Sequence, residues 1–245
     1  MATYRGNDDA NRYNGTNLAD LIHGRSGDDR LYGNGGNDTI DGGEGNDYLW
    51  GGAGNNVIWG GSGNDAIWAD AGSDRIIAGE GNDTVRAGAG NNAVSLGEGD
   101  DVVITLGGRD TLDGAGGNDR MTAGAGNDIL RGGEGDDIML GQAGFDTLTG
   151  GEGNDVLNGG LGNDLLSGGE GADRFVFNGG LDRITDFENG DDDIDLSAFA
   201  QFTGFASIRA AASQSGSDVI IKAGANRLVI EDTRLNQLDG DDFIW

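Results

Sequence analysis

From Ile22 to Phe175 an apolar residue returns at every ninth position without a slip. Each lies between two variable residues, and each such triplet follows six residues rich in Gly, Asn and Asp. The stretch from Gly15 to Val176 therefore divides into eighteen nine-residue cells. One reads Gly42-Gly43-Glu44-Gly45-Asn46-Asp47-Tyr48-Leu49-Trp50 and another Gly150-Gly151-Glu152-Gly153-Asn154-Asp155-Val156-Leu157-Asn158. The triplet predicts a short strand whose middle side chain faces inward while its neighbours face out. The Gly-rich six predict a turn that needs positive φ and close backbone approach. A single cell cannot bury its one apolar residue. Two cells can make a flattened coil with a strand on each side, and stacked coils then form two parallel sheets around an aliphatic core. At ~4.8 Å per strand, nine coils give a rod roughly 43 Å long.

That core is thin. At ~25 cal/mol per Å² it does not outweigh the ordering entropy of so many glycines, so the turns need another source of stability. The sixth place of the cell supplies one. Alternate cells fall on opposite edges of the rod. One edge carries Asp29, Asp47, Asp65, Asp83, Asp101, Asp119, Asp137, Asp155 and Asp173. The other carries Asp20, Asp38, Asn56, Asp74, Asn92, Asp110, Asp128, Asp146 and Asp164. Calcium takes six to eight oxygens and mixes carboxylates with backbone carbonyls, whereas magnesium demands a tighter octahedron and keeps its waters. Gly-rich turns stacked eighteen residues apart offer both kinds of oxygen. Asp and Asn also favour turns on their own account, but eighteen in register exceed what turn preference alone requires. Asn56 and Asn92 keep one oxygen and lose the charge, so they are expected to be weaker ligands.

The template G-G-x-G-x-D-x-U-x resembles that of the RTX (repeats-in-toxin) calcium-binding family. The resemblance implies an all-β, right-handed parallel β-roll, with several calcium ions held between neighbouring turns. Residues 1–14 read as a leader or one decayed repeat, with Gly6, Asn11 and Tyr13 at its first, sixth and eighth places. Residues 15–177 form the roll. Past Val176 the nine-residue register is expected to fail, and 178–245 read as a β-rich cap. Asp182-Arg183-Ile184-Thr185-Asp186-Phe187 and Gly190-Asp191-Asp192-Asp193-Ile194-Asp195-Leu196-Ser197 are similar to the cap of serralysin-type RTX domains. The ending Asp241-Asp242-Phe243-Ile244-Trp245 resembles the C-terminal signal of type I (ABC transporter) secretion substrates, and it also reads as a last cap strand.

Charge narrows the partners. Lys and Arg number 15 against 43 Asp and Glu, a formal charge of −28, which repels nucleic acid and anionic lipid. There is no cysteine, so neither a disulfide nor a thiolate site is available. The polar N-terminus has no apolar signal-peptide core, and no apolar run is long enough for a transmembrane helix. The single histidine, His23, lies at an outward ninth place. No zinc-protease, serine-hydrolase or nucleotide-binding motif occurs, and a non-enzymatic chain is expected.

The outward positions hold one unusual feature. Tyr32, Tyr48, Trp50 and Trp68 fall on one sheet and Trp59 on the other, a candidate ligand-binding surface. Cross-strand aromatics also stabilise sheets without any ligand. The leading expectation is a secreted, extracellular or cell-surface calcium-binding protein with a structural, matrix or adhesion role. A polysaccharide-binding module like the R-modules of alginate epimerases is the alternative, and a carrier domain of a secreted protease or lipase is the third.

Overall fold

The computed structural model describes residues 1–245. Two parallel sheets face one another along a solenoid of about eleven turns. The first has fourteen strands. It starts with Thr3–Arg5, takes every second cell from Leu21–Ser26 through Leu165–Glu170, and adds Leu181–Ile184. The second has twelve, starting at Arg12–Asn14 and taking the intervening cells from Arg30–Tyr32 to Arg174–Val176. Register advances by eighteen residues per coil, so Leu31 lies beside Leu49 and Ile40 beside Ile58. Every eighth-place residue from Ile22 to Phe175 is buried, and these residues form one continuous core.

Both ends are closed by aromatic residues. Residues 3–14 supply a first coil in which Tyr4 stacks on Tyr13 with ring centroids 4.1 Å apart. Past Val176 the register continues where the sequence reading ended it. Asp182 and Ile184 occupy the sixth and eighth places of a further cell, and both are buried. Phe177 stands at the first place of this cell and buries its ring, while Gly180, Asp182 and Ile184 keep the fourth, sixth and eighth places of the template, so the cell was legible and the sequence reading ended the register one cell early. The cap then departs from the solenoid. Asp218–Ala223 and Asn226–Ile230 form an antiparallel hairpin whose second strand pairs in parallel with Leu181–Ile184. The helix Phe205–Ala211 buries Ile208, and Phe205 lies 6.0 Å from the ring of Phe243. The last strand, Phe243–Ile244, pairs in parallel with Asp193–Asp195 and completes the second sheet.

Coil-on-coil contact explains the glycines. Gly151 has φ 129°, and a Cβ added there would lie 2.1 Å from the carbonyl oxygen of Gly133 one coil below. Several second-place residues other than glycine share this left-handed backbone: Asn34 has φ 73° and Asp70 φ 63°. Gly224, in the hairpin turn, also has positive φ (68°), but open space surrounds it. Replacing Gly151 by Ala is expected to destabilise the calcium-saturated protein by roughly 3 kcal/mol or more. Gly224→Ala should cost about 1 kcal/mol, the left-handed penalty alone. Denaturant unfolding of both variants in excess calcium measures the difference, and equal losses would contradict the stacking argument.

Candidate metal centre

The sixth-place side chains are not solvated turn residues. All sixteen Asp, together with Asn56 and Asn92, are buried. Their two carboxylate oxygens do different jobs. Oδ1 accepts the backbone N–H of the sixth-place residue one coil earlier: Asp29 N–H donates to Asp47 Oδ1 at 2.7 Å, Asp47 to Asp65 at 2.7 Å and Asp65 to Asp83 at 2.7 Å. The row continues through Asp155 to Asp173 at 2.8 Å and ends on Asp192 at 2.9 Å. The other edge repeats it from Asp20 to Asp38 (2.8 Å) up to Asp164 and Asp182 (3.0 Å). Each carboxylate thus staples two coils along the rod. The sequence reading missed this role, and it missed Asp182 and Asp192 as members of the rows. A clue to Asp182 was present in Asp182-Arg183-Ile184, which repeats the acidic and apolar spacing of every cell.

Oδ2 is left over. In fifteen of the sixteen Asp it is buried with no hydrogen-bond partner. Asp20, near the N-terminal end, is the exception, because Thr16 donates to its Oδ2 from the backbone at 2.6 Å and lowers its pKa. Buried carboxylate oxygens are normally paired, and an orphan costs several kcal/mol. At turns whose first place is glycine, Oδ2 points to a place where oxygens meet. A Cβ built on Gly42 would lie 2.3 Å from Asp47 Oδ2 and 2.6 Å from the carbonyl oxygen of Gly60 in the next coil. At Gly114 the same test finds Asp119 Oδ2 and the Gly132 oxygen, both at 2.3 Å. At Gly150 it finds Asp155 Oδ2 at 2.1 Å and the Gly168 oxygen at 2.3 Å. Glycine keeps these cradles open. No three acidic or histidine side chains converge anywhere; what converges is one carboxylate with backbone carbonyls. That donor set is all oxygen, carries one charge per turn and suits calcium.

Electrostatics point the same way. Burial pushes the carboxyls of Asp47, Asp65, Asp83 and Asp119 up to about 7, against 3.8 in the free residue. The same cause raises Asp101, Asp137, Asp155 and Asp173 to about 6. Keeping one of the first group ionised at neutral pH costs on the order of 4 kcal/mol. Two or three such groups match the whole stability of an ordinary domain, about 5–15 kcal/mol. Further raised carboxyls line both edges, and a cation beside them would offset that cost.

The sequence profile of the RTX calcium-binding nonapeptide repeat matches eight segments: 5–40, 14–49, 41–76, 68–103, 77–112, 95–130, 113–148 and 149–184. Together they cover residues 5–184 without a gap. The chain belongs to the RTX calcium-binding repeat family. Comparison with curated protein sequences gives no significant match. Among solved structures, a subunit of the mannuronan C5-epimerase of Azotobacter vinelandii is similar at 34% identity and TM-score 0.40, over 50% of this chain and 82% of that one. The extracellular lipase LipA of Serratia marcescens is similar at 19% identity and TM-score 0.46. That match takes in 100% of this chain but spans only 40% of the lipase.

RTX repeats bind calcium, and in this RTX chain the residues that would hold it are the sixth-place Asp with the first-place carbonyls of the next coil. Bound there, calcium would supply positive charge that neutralises Oδ2. Asn56 and Asn92 present nitrogen rather than oxygen at the corresponding point, as Asn56 Nδ2 lies 2.7 Å from a Cβ built on Gly51. The remaining candidate residues lie elsewhere on the rod. Tyr48 stacks on Trp68 at 4.5 Å, and Tyr32 lies 5.9 Å from Tyr48 and 6.2 Å from Trp50. Trp50 Nε1 donates to Asp70 Oδ2 at 2.7 Å, and the Arg86 guanidinium lies 5.7 Å from the Trp68 ring centroid. A shallow groove lined by Tyr32, Asn34, Trp50, Gly52 and Asp70 runs on past Asp70 to Trp68, Arg86, Gly88, Ile104 and Leu106. Trp59 is exposed on the opposite sheet, beside Asp41 and Ile77, and takes no part in the groove.

The pH dependence follows from the raised carboxyls. Their folded pKa values exceed the unfolded 3.8, so the metal-free coil binds more protons than the unfolded chain. Its stability is present below the unfolded pKa and is lost as pH rises through about 6 to 7. In chelator, acidification from pH 7.5 to pH 5 is therefore expected to increase strand signal in circular dichroism, with protons standing in for metal. Unchanged or falling strand signal over that range would contradict the burial of ionised carboxylates.

Proposed function

We propose that the chain is a secreted, non-enzymatic protein that folds on meeting extracellular calcium and serves a structural, matrix or cell-surface adhesion role. The observation that supports this reading is the two rows of buried carboxylate oxygens without a protein partner, fifteen in all. A chain built this way stays unfolded where calcium is scarce and folds where it is plentiful, because metal binding free energy becomes folding free energy. Export before folding fits the C-terminus as well. Asp242 and Phe243 are buried in the completed cap, so a type I signal there is readable only in the unfolded chain. His23 meets only Asp41, at 3.2 Å on the surface.

A second reading, a polysaccharide-binding module, is favoured by the groove alone. Aromatic faces at Tyr32, Trp50 and Trp68 suit sugar rings, and Asn34, Asp70 and Arg86 beside them offer hydrogen bonds to hydroxyl or carboxylate groups.

Two measurements separate the readings. At pH 7.5 in chelator the chain should show little strand signal, and millimolar calcium should restore it in a sharp transition; equal signal in both would remove the coupling. If the groove binds polysaccharide, Trp50→Ala with Trp68→Ala should weaken retention on a polysaccharide panel about tenfold or more and leave the calcium midpoint in place. Absent or undiminished binding would leave the structural reading standing alone.

A further inference from the structure

Asn56 and Asn92 stand on one edge of the rod, and both keep the coil-to-coil staple. Asp38 N–H donates to Asn56 Oδ1 at 3.0 Å, and Asp74 N–H donates to Asn92 Oδ1 at 3.1 Å. This fixes the orientation of each amide. A backbone N–H needs an acceptor, and only the amide oxygen can accept. The amide nitrogen must therefore turn to the place that Oδ2 takes in the Asp turns. From there Asn56 Nδ2 donates to the carbonyl oxygens of Gly52 and Gly54, both at 3.1 Å, and Asn92 Nδ2 donates to that of Gly90 at 3.1 Å.

An amide NH2 has no lone pair for a cation, and its hydrogens carry partial positive charge. It also occupies carbonyl oxygens of the turn. The two turns therefore do not fit calcium. We propose that Asn56 and Asn92 close their turns without metal, the amide NH2 replacing the ion, so that each deletes one calcium place from the rod. The inference rests on the reading that the Asp turns bind calcium.

Each Asn removes one place and not two. Toward the preceding coil its Oδ1 does what an aspartate Oδ1 does. The preceding cradle is intact: a Cβ built on Gly33 would meet Asp38 Oδ2 at 2.4 Å and the Gly51 carbonyl oxygen at 2.5 Å. On the opposite edge at the same levels, Asp47, Asp65, Asp83 and Asp101 all keep an unpartnered Oδ2. The middle of the rod is thus held by metal on one edge and partly by protein donors on the other. Gly52 and Gly88 belong to the two amide-closed turns and also line the aromatic groove, so this wall of the groove is set without calcium.

The test counts ions in the full chain. Wild type, Asn56→Asp with Asn92→Asp, and Asp65→Asn are saturated with calcium, freed of excess, and measured for bound calcium per chain by native mass spectrometry. The expected result is two more ions in the double variant and one fewer in Asp65→Asn. Equal counts in wild type and the double variant, with Asp65→Asn still losing ions, would overturn this proposal and leave calcium binding by the Asp turns in place. A loss of two ions in Asp65→Asn would overturn the rule of one place per Asn. No bound calcium in wild type would overturn the calcium reading, and the proposal with it. A second measurement needs no variant. In calcium-saturated wild type, the side-chain NH2 hydrogens of Asn56 and Asn92 should exchange slowly with solvent in NMR spectra, because they are buried and bonded to carbonyls. Fast exchange would overturn the proposal even if the Asp variants failed to fold.

Discussion

The structure depends on a divided carboxylate. In every sixth-place Asp but Asp20, Oδ1 is bonded to the backbone of the neighbouring coil, while Oδ2 is buried with nothing from the protein to meet it. The first oxygen fixes coil spacing and register. The second makes that register conditional on a positive charge from outside. A neutral side chain could supply the staple alone, as Asn56 and Asn92 do. A carboxylate in nearly every turn therefore makes sense only if the remaining oxygen is used.

The rest of the fold is subordinate to that arrangement. Gly42, Gly114 and Gly150 lack the side chain that would collide with the oxygens. The aliphatic core is one eighth-place residue per strand, widened mid-rod only by first-place Ala69, Ala78, Ala87, Leu96 and Ala123, and cannot carry the rod by itself. The aromatic ends, Tyr4 with Tyr13 and Phe177 with the Phe-rich cap, seal that core where the rows stop. The net charge of −28 ceases to be a liability once cations line the turns, and without them it opposes compaction.

Much of this was legible in the sequence because a nine-residue period constrains fold and chemistry together. The period placed Ile22 through Phe175 inside and the sixth-place Asp at turns facing their neighbours two cells on. It could not say which oxygen did what. Eighteen-residue spacing gives proximity, but the staple becomes visible only with the backbone N–H in place. The sequence reading gave Asn56 as a weaker ligand that keeps one oxygen, and could not show that this oxygen accepts the Asp38 N–H while the amide nitrogen takes the place of Oδ2. Asp182 was legible, since Gly180, Asp182 and Ile184 keep the fourth, sixth and eighth places of the template, but Phe177 reads as the end of the period. Asp192 was hidden by a slip of one residue, nineteen from Asp173 rather than eighteen. The last strand, Phe243–Ile244, comes back to the second sheet across some fifty residues of aperiodic chain, and no local pattern records such a return.

The central claim is that a cation meets each unpartnered carboxylate oxygen between successive coils. A crystal structure of the calcium-saturated protein at neutral pH, with anomalous difference density collected for calcium, tests it most directly. The account predicts peaks beside Oδ2 of Asp47, Asp65, Asp83 and Asp101, one between each pair of stacked turns. A folded rod at neutral pH with only water at those oxygens would contradict it.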